Sequence, residues 1–385
     1  MRIAIDFSTC DHLQMTAGHY RYTVQLVRGL AEIAGPQDFL LLGSGKEPVP
    51  EIRDIFGPGS HWVYRRNIPW THRGSPYVDE LAYARHFSAE PISLLHVVHN
   101  LIPLTARCPV IVTKHDLIEE MFPEYEAIRR GRLYRIHRRR VKKLTDRIIC
   151  ISQTTANDLK RFWGIGEDRT VVIHHGVDED FFADPGDDLV SGHPVFRSDT
   201  LILASMYNLE PRKNLSALVE AFSSVRKSFP NARLILFGRG LLTPEREEKF
   251  ENLLADLGLH DSVIRLGVVS DAMLRQIYRR ADVFVFPSLY EGFGLPVLEA
   301  LASGACVLGA NTAATAEIAG EAAELVDMSD STKIATGIAK LLRDGERRAA
   351  LRRMAPQRAR QFSVDAMVRR TWETYLEVLR AKRSA

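Results

Sequence analysis

Two glutamates flank a short glycine-containing segment in the second half of the chain. Glu291 and Glu299 are separated by seven residues, and two glycines lie between them. The apolar run 283–287 precedes the segment, and Pro296 follows it at a position typical of the first turn of a helix. The pattern predicts a buried strand, a loop and a helix whose N-terminus favours phosphate. Two carboxylates there could hold a polar substrate, although a loop charge and a helix-surface charge explain them equally well.

Two basic residues follow another predicted strand. The apolar run 201–205 leads into the turn 208–214, in which Arg212 and Lys213 are adjacent. Arginine grips phosphate oxygens bidentately, and lysine supplies a compact point charge. Because open α/β sheets bind ligands beyond the carboxyl ends of their strands, this pair is suited to a diphosphate. The competing interpretation is a solvated turn that ends in an N-cap at Asn214.

Two further positions carry weaker signals. His115 follows the apolar run 110–113 and could contact a substrate, although isolated histidines more often have structural roles. Gly238 and Gly240 follow the run 233–237, but the third glycine and the downstream acid of a dinucleotide fingerprint are missing. Neither signal predicts a site by itself.

A basic segment, Arg129 to Lys143, contains nine arginines and lysines and no acidic residue. Such a run is often the solvated face of a helix. Near an anionic lipid surface, each charge would contribute roughly 1 kcal/mol of attraction. The segment therefore predicts a helix that binds a membrane surface or an acidic acceptor, or one that is simply solvated.

These residues lie in a chain that alternates predicted strands with predicted helices. Further strands are expected at the apolar runs 2–7, 39–42, 94–98, 147–151, 171–174, 263–266, 305–309 and 323–326. Helices are expected at 20–33, 155–162, 215–229, a charged segment that ends near 257, 271–280, 332–344 and 363–381. Alternation of this kind is typical of doubly wound parallel sheets.

The length of the chain predicts two domains, because 385 residues exceed the usual size of a single core. Residues 186–199 contain proline and glycine and few periodic apolar positions, which favours a linker. We therefore assign 1–185 to a first domain and 200–363 to a second. Clefts between such domains are common ligand sites.

The composition excludes several classes of protein. The chain is 45% hydrophobic and 26% charged, and its net charge of +3 does not by itself imply a nucleic-acid partner. The four scattered cysteines form no metal-binding or redox pattern and suit a reducing compartment. No run of about 18 apolar residues occurs, and the N-terminal apolar run is too short for the h-region of a secretory signal, so neither a membrane span nor a signal is expected. We expect a cytoplasmic protein, or one bound peripherally at the inner face of the cytoplasmic membrane.

Taken together, these segments resemble the retaining glycosyltransferases of family 4, also called group 1. That family has the GT-B fold, in which two Rossmann-like doubly wound α/β domains flank an inter-domain cleft. Its paired glutamates are matched by Glu291 and Glu299 within PSLYEGFGLPVLEALASG, and its basic pair by Arg212 and Lys213 within NLEPRKN. In the first half, VTKHDL resembles the strand end that presents a catalytic-site histidine, here His115, in mannosyltransferases. The resemblance covers nearly the whole chain.

The resemblance implies a nucleotide-diphosphate sugar as donor, bound mainly by the second half of the chain. Glu299 would hold the ribose and Glu291 the transferred sugar. Gly294 and Leu295 would offer backbone N–H groups to that sugar. The Arg-Lys pair would stabilise the departing diphosphate, and neither a metal nor another cofactor would be required.

Several more distant features also follow from the resemblance. Segment 266–288 is similar to the family's base-binding loop and the helix after it, which places Val268 near the base, and Gly238 is a further donor-contact candidate. The acceptor would lie near Gly18, Tyr20 and His115. The C-terminal helix, 364–385, would pack back on the first domain. One departure is that many relatives carry two glycines in the first loop, where TAGHYRY has only Gly18.

The implied activity is transfer of a hexose, with retention, to a glycan or lipid-linked acceptor in surface polysaccharide biosynthesis. GDP-mannose is the favoured donor, ahead of UDP-glucose and UDP-N-acetylglucosamine. Two alternatives use the same architecture. One is a UDP-sugar 2-epimerase-like enzyme, which needs no acceptor, and the other is a non-catalytic sugar-nucleotide-binding protein.

Overall fold

The computed structural model describes residues 1–6, 18–43, 50–56, 62–64, 92–98, 102, 106–184, 190, 194–196, 199–238 and 243–383. The chain divides into two compact units. Unit 1 contains Met1–Gly176 and Val364–Ala385, and unit 2 contains Val177–Ser363. Residues 177–185, which the sequence placed in the first domain, therefore belong to unit 2. Most of the predicted linker 186–199 lies outside the described residues.

Within its described residues, unit 1 contains a seven-stranded parallel sheet. Its strands are β1 (Ile3–Asp6), β2 (Phe39–Gly43), β3 (Trp62–Tyr64), β4 (Leu94–Val97), β5 (Val110–Lys114), β6 (Arg147–Cys150) and β7 (Thr170–Val172). They lie in the order β3-β2-β1-β4-β5-β6-β7. The register pairs Ile3 with both Phe39 and Leu94, so β1 is central. The chain fills the sheet in both directions from the β1–β4 junction, which is the topological switch point of a doubly wound sheet.

The strands of unit 1 are apolar on both faces because helices cover both faces of the sheet. Ile3 and Ile5 pack into one hydrophobic cluster, whereas Ala4 between them packs into another. The helices before the unit boundary are α1 (Gly18–Ala34), α2 (Pro50–Phe56), α3 (Ile118–Met121), α4 (Glu126–Arg130), α5 (Arg132–Leu144) and α6 (Gln153–Asp158).

The basic segment is not the single helix that the sequence predicted. The backbone at Gly131 is extended, with φ −61° and ψ 144°, and it separates α4 from α5. Such a residue cannot continue the helical hydrogen bonds, so only α5 carries the dense basic run.

Within its described residues, unit 2 contains a six-stranded parallel sheet. Its strands are β8 (Leu201–Met206), β9 (Ala232–Phe237), β10 (Val263–Gly267), β11 (Val283–Phe286), β12 (Val307–Ala310) and β13 (Glu324–Val326). The order is β10-β9-β8-β11-β12-β13, so the switch point lies between β8 and β11. The loops after these two strands therefore emerge side by side.

The helices of unit 2 are α7 (Leu215–Ser228), α8 (Pro244–Asp256), α9 (Asp271–Arg280), α10 (Leu295–Ala302), α11 (Ala313–Ala319), α12 (Ser331–Arg343) and α13 (Gly345–Ala359). Short helical turns occur at Pro36–Asp38, Pro123–Tyr125, Leu159–Trp163, Glu179–Phe181, Pro194–Phe196, Pro211–Lys213 and Gly320–Ala322.

Helix α13 was not predicted from the sequence, and its arginines explain its place in the fold. Arg348, Arg352 and Arg358 donate hydrogen bonds of 2.5–2.8 Å to carbonyl groups at the C-terminal ends of α12, α9 and α11. Those carbonyls have no partner inside their own helices, and cationic donors there also complement the helix dipoles. These polar contacts, which hydrophobic periodicity does not reveal, add to the burial of Leu351, Ala355 and Ala359.

The last helix, α14 (Val364–Arg383), belongs to unit 1. Met367, Val368 and Tyr375 are buried in the same hydrophobic cluster as the inner face of α1. A Cβ atom at Gly29 of α1 would lie 2.6 Å from Cγ2 of Val368, so glycine permits the close approach of the two helices.

Candidate active site

The turn after β8 holds Arg212 and Lys213 in a fixed backbone. Oδ1 of Asn208 accepts a hydrogen bond of 2.9 Å from the Glu210 amide, which closes an Asx-turn. Asn214 adopts the left-handed conformation, with φ 57°, and its Nδ2 donates to the Met328 carbonyl at 2.6 Å. The two basic residues therefore occupy a single 3-10 turn that is anchored at both ends.

The loop after β11 is bonded to this turn. The Leu289 amide donates to the Arg212 carbonyl at 2.7 Å, and Oγ of Ser288 lies 3.3 Å from the oxygen of the same carbonyl. Because β8 and β11 are neighbours across the switch point, these bonds join two loops that are far apart in the chain. They carry Glu291 to the basic turn.

Four charged side chains meet where the two loops touch. Nζ of Lys213 lies 2.5 Å from Oε1 of Glu291, and Nη1 of Arg212 lies 3.3 Å from Oε2. Nε of Arg212 lies 2.9 Å from Oε2 of Glu210. Oγ of Ser288 also donates to Oε1 of Glu291, at 2.6 Å. We call Glu210, Arg212, Lys213, Ser288 and Glu291 the ion cluster.

The structure thus joins three of the predicted residues and adds two that the sequence did not indicate. Glu210 precedes a proline in a turn that offered no reason to single it out. Ser288 lies in a loop where serine is ordinary. Each was detectable only as a neighbour of an already suspected residue.

The cluster keeps Glu291 charged although it is largely buried. Burial raises the pKa of this carboxyl, but the positive charges of Lys213 and Arg212 and the hydrogen bonds of Lys213 and Ser288 outweigh it, so the pKa lies below its usual value. Only 13% of the Glu291 side chain is exposed, and 16% of Lys213. The charges therefore act on one another with little screening by solvent.

A shallow recess opens beside Lys213. It is lined by Ser205, Met206, Asn208, Lys213, Phe286, Pro287 and Ser288, at the carboxyl ends of β8 and β11. Nζ of Lys213 lies 5.7 Å from the centre of the Phe286 ring, within the range of a cation–π interaction. A small polar group in this recess would lie against a buried cation.

The second glutamate takes a different position. Glu299 is the fifth residue of α10 and is 7% exposed. The helix begins after Gly294, whose φ of 109° requires glycine, and its first residue is Leu295. The loop, the helix start and the two glutamates therefore follow the predicted order, with Glu291 in the ion cluster and Glu299 buried on the helix.

The remaining donor candidates lie at the ends of β9 and β10. Gly238 follows β9 with φ 95°, and its amide donates to the Gly267 carbonyl at 2.7 Å. Val268 follows β10 and is 61% exposed, so its side chain is open to a ligand. Both residues lie at the carboxyl edge of the sheet that carries the ion cluster.

In unit 1, His115 follows β5 and lies among aromatic rings. Its ring centre is 5.2 Å from that of Tyr22, 5.5 Å from that of His175 and 6.3 Å from that of His19. His19 is the second residue of α1, directly after Gly18. The structure therefore brings the start of α1 to the same edge of the sheet as His115.

The histidines around His115 are kept neutral by burial. Burial lowers the pKa of His175 to about 3, with smaller contributions from His174 and His19. Burial also lowers the pKa of His19, which the negative charge of Asp116 partly opposes. Tyr20, the other predicted acceptor-side residue, is buried and donates to Oε2 of Glu51 at 3.2 Å.

The basic residues of α5 divide into two sets. Arg138 donates to the Phe162 carbonyl at 2.5 Å and lies 3.4 Å from Glu120, and Arg140 donates to the Ile102 carbonyl at 2.8 Å. The exposed set, which we call the basic stripe, is Arg132, Arg135, Arg139, Lys142 and Lys143. Its spacing follows one face of the helix. Among the described helices, none is long and apolar enough to cross a membrane.

Comparison with known proteins defines the class. The structure of HepE from Anabaena in complex with UDP-glucose matches with a TM-score of 0.77 at 18% identity, over 98% of this chain and all of the other. Its likeness confirms the predicted α/β fold with two doubly wound sheets, which is the GT-B fold of glycosyltransferases.

Sequence comparison defines the family. Residues 17–181 match the model described as glycosyltransferase family 4, and residues 191–358 match the model described as glycosyl transferases group 1. The chain belongs to the family 4, group 1 glycosyltransferases, as its motifs predicted.

Its curated relatives include mannosyltransferases at low identity. The serotype-specific mannosyltransferase WbdA of Escherichia coli is 26% identical over 377 residues, which cover 89% of this chain and 44% of the relative. The phosphatidyl-myo-inositol mannosyltransferase of Mycolicibacterium smegmatis is 27% identical over 350 residues, with 88% and 81% coverage. The chain thus spans less than half the length of the first relative.

Proposed function

We propose that this glycosyltransferase is a retaining hexosyltransferase with GDP-mannose as its first donor. The acceptor is a glycan or lipid-linked intermediate of a surface polysaccharide. The observation that carries the proposal is the ion cluster at the switch point of unit 2. The names of the two mannosyltransferase relatives support the choice of mannose. The UDP-glucose bound to HepE keeps UDP-glucose as the second candidate.

The ion cluster can exchange one anion for another. Its two cations, Arg212 and Lys213, contact two carboxylates, Glu210 and Glu291, so the side-chain charges balance. A donor diphosphate brings further negative charge and competes with Glu291 for Lys213. On donor binding, Glu291 turns to the hydroxyls of the transferred sugar, and the two cations stabilise the charge that grows on the leaving diphosphate.

The other donor contacts follow the same edge of the sheet. Glu299 binds the ribose, and the amides of Gly294 and Leu295 bind the transferred sugar. The exposed side chain of Val268 packs against the base, and the backbone at Gly238 borders it. The cations take the charge-neutralising role that a metal has in other transferases. We therefore expect transfer to continue at an unchanged rate in EDTA.

Unit 1 binds the acceptor in this proposal. Gly18 at the start of α1 leaves room for it, and His115 contacts it. The neutral histidines around His115 suit an uncharged hydroxyl, because each neutral imidazole has one hydrogen-bond donor and one acceptor.

The proposal is tested by incubating the protein with GDP-mannose, UDP-glucose and UDP-N-acetylglucosamine and measuring release of nucleoside diphosphate. Proton NMR of the glycoside product reports whether the anomeric configuration is retained. We expect turnover of GDP-mannose, lost in Glu291→Gln and kept in Glu220→Gln, which changes a glutamate elsewhere in unit 2.

Each contrary outcome has a distinct meaning. If no sugar nucleotide is bound or consumed, the enzyme proposal is wrong. Formation of an epimer without acceptor would establish the 2-epimerase alternative. Binding without turnover, equally tight in Glu291→Gln, would establish the non-catalytic alternative.

We also propose that the basic stripe contacts an anionic membrane surface. Ile128 and Met121, which precede it, are 53% and 37% exposed, so apolar side chains accompany the positive charges. This combination is typical of helices that lie in a membrane interface. It would place the enzyme at a lipid-linked acceptor on the inner face of the cytoplasmic membrane.

Liposome sedimentation tests the contact. Reversing Arg132, Arg135 and Arg139 to glutamate should weaken binding to phosphatidylglycerol vesicles by at least about 1 kcal/mol per residue at low salt. Reversing Lys227, Lys249 and Arg353, which are exposed in unit 2, makes the same change in net charge and should have little effect. Equal losses in both triple variants, or binding that does not weaken with salt, would contradict the proposal.

A further inference from the structure

A buried chain of hydroxyl and imidazole groups, which we call the hydroxyl chain, crosses unit 1. Oη of Tyr375 on α14 lies 2.6 Å from Nδ1 of His96 on β4. Nε2 of His96 lies 2.8 Å from Oγ1 of Thr113 on β5, and the same Oγ1 lies 3.0 Å from Oη of Tyr22 on α1. Four elements are thus joined by three consecutive hydrogen bonds, and the four side chains are at most 2% exposed.

The hydroxyl chain requires a neutral imidazole at His96. Burial lowers the pKa of His96 to about 3. A neutral imidazole donates from one nitrogen and accepts at the other, so it can continue a hydrogen-bonded chain between two hydroxyls. Both ring nitrogens are used in this way, which fixes the ring at both edges.

The chain ends at the ring that packs against His115. The ring of Tyr22 stands at 87° to that of His115, with 5.2 Å between the ring centres. It also makes an edge contact with the ring of His175, with 4.7 Å between the ring centres. The hydrogen bond to Thr113 fixes this ring, and Thr113 lies on the strand that His115 follows.

The backbone of His115 is held separately. Oγ1 of Thr155 donates to the His115 carbonyl at 3.3 Å, and Oγ of Ser152 bonds to Thr155 at 3.1 Å. The backbone is thus secured from α6, whereas the imidazole is bordered by Tyr22. Loss of the hydroxyl chain would free the Tyr22 ring that borders the imidazole, without displacing the strand.

We propose that the chain Tyr375–His96–Thr113–Tyr22 positions the His115 imidazole for transfer. This inference rests on the proposed acceptor-side function of His115. Fully bonded polar groups inside an apolar core specify one arrangement, where apolar side chains of similar size would tolerate several. Tyr22 and Thr113 are positioning residues, since they act through His115.

The test uses variants that remove one hydroxyl and keep the shape of the side chain. Tyr22→Phe and Thr113→Val should each lower kcat about tenfold or more, because small displacements of a reacting group are costly, and should leave KM for the donor unchanged. The double variant should be no worse than the worse single variant, because both break one chain. Tyr134→Phe is the control, since its hydroxyl bonds to Glu120 elsewhere in unit 1.

Imidazole NMR of the full-length protein labelled with 15N-histidine provides a readout that needs no donor. The His115 signals, assigned with His115→Gln, should shift or broaden in Tyr22→Phe and stay unchanged in Tyr134→Phe. Unchanged kcat and unchanged His115 signals in Tyr22→Phe would overturn the inference, as would losses of kcat that only follow losses of Tm in all variants. If Thr113→Val does not fold, Tyr22→Phe decides alone.

The two proposals fail in distinguishable ways. If the unmodified protein transfers no sugar, the proposed function is wrong. The NMR comparison then still decides whether the hydroxyl chain orients His115. If it transfers sugar and neither hydroxyl variant is impaired, only the positioning inference is wrong.

Discussion

The two units differ in the charge state of their buried titratable side chains near the candidate site. In unit 2, burial is combined with opposite charges, so Glu291 stays ionised beside Lys213 and Arg212. In unit 1, burial acts with little compensation, so His96 and His175 are neutral. A balanced set of charges is suited to exchange with a charged ligand such as a diphosphate. A set of neutral imidazoles is suited to an uncharged hydroxyl. In the proposed function, the first set therefore binds the donor and the second set the acceptor.

Removal of Lys213 from the ion cluster should have the largest effect on the difference between the units. Lys213→Ala should lower kcat by about 100-fold to 1,000-fold, because in the proposed function the lysine stabilises charge that grows in the transition state. It should also weaken binding of the nucleotide sugar, measured by titration calorimetry. Lys227→Ala, which changes an exposed lysine on α7, is the matched control. Equal activity in the two variants would show that Lys213 has no part in transfer.

Removing the side chain of His115 should affect catalysis but not donor binding. His115→Ala should lower kcat by about 100-fold, the effect expected for a positioned proton-transfer or hydrogen-bonding group. Because His115 lies in unit 1, donor affinity measured by calorimetry should remain unchanged. A parallel loss of donor affinity would mean that His115 belongs to the donor site. That result would contradict the proposal that unit 1 binds only the acceptor.

The units should also lose stability in different pH ranges. His96 and His175 have folded pKa values of about 3, below the ordinary 6.5, so the unfolded chain binds protons first as the pH falls. Each should cost about 1.4 kcal/mol of unfolding free energy per pH unit between about pH 6 and pH 3. Glu291, whose pKa lies below its ordinary 4.5, contributes stability above that pH that is lost only as the pH falls through its folded value.

Hydrogen exchange measured by mass spectrometry from pH 7 to pH 4 distinguishes the two ranges. Peptides of unit 1 should lose protection first, after correction for the intrinsic rate, and His96→Asn should make that loss less steep. Earlier loss in unit 2 would contradict the assignment of acid sensitivity to the buried histidines.

The smallest effect expected comes from a single hydrogen bond in the ion cluster. Ser288→Ala removes the 2.6 Å bond to Glu291 and should lower kcat/KM about tenfold, because hydrogen bonds to charged groups contribute about 1.5 kcal/mol. Ser224→Ala, at an exposed position on α7, should be silent. An unimpaired Ser288→Ala would show that the two cations alone hold Glu291.

The local elements of this fold were largely predictable because they depend on neighbouring residues. The apolar run before Glu291 forms β11, and Asp271–Arg280 is helical over the predicted range. Errors occurred where long-range contacts decide the outcome. Helix α13 depends on arginines that bind the ends of three other helices. The break at Gly131 is a different kind of error, because composition alone presented the basic segment as one helix.

The sequence by itself determined the family, the alternation of strands and helices, and the candidates Arg212, Lys213, Glu291 and His115, because these follow from local patterns and motif spacing. Only the tertiary structure decided which side chains meet. Arg212 and Glu291 are 79 residues apart in the chain, and they touch because β8 and β11 are neighbours across the switch point. Tyr375 and His96 are 279 residues apart, and they touch because the last helix packs into unit 1. Strand order and helix docking depend on the packing of the whole core, so they determined the ion cluster and the buried hydroxyl chain.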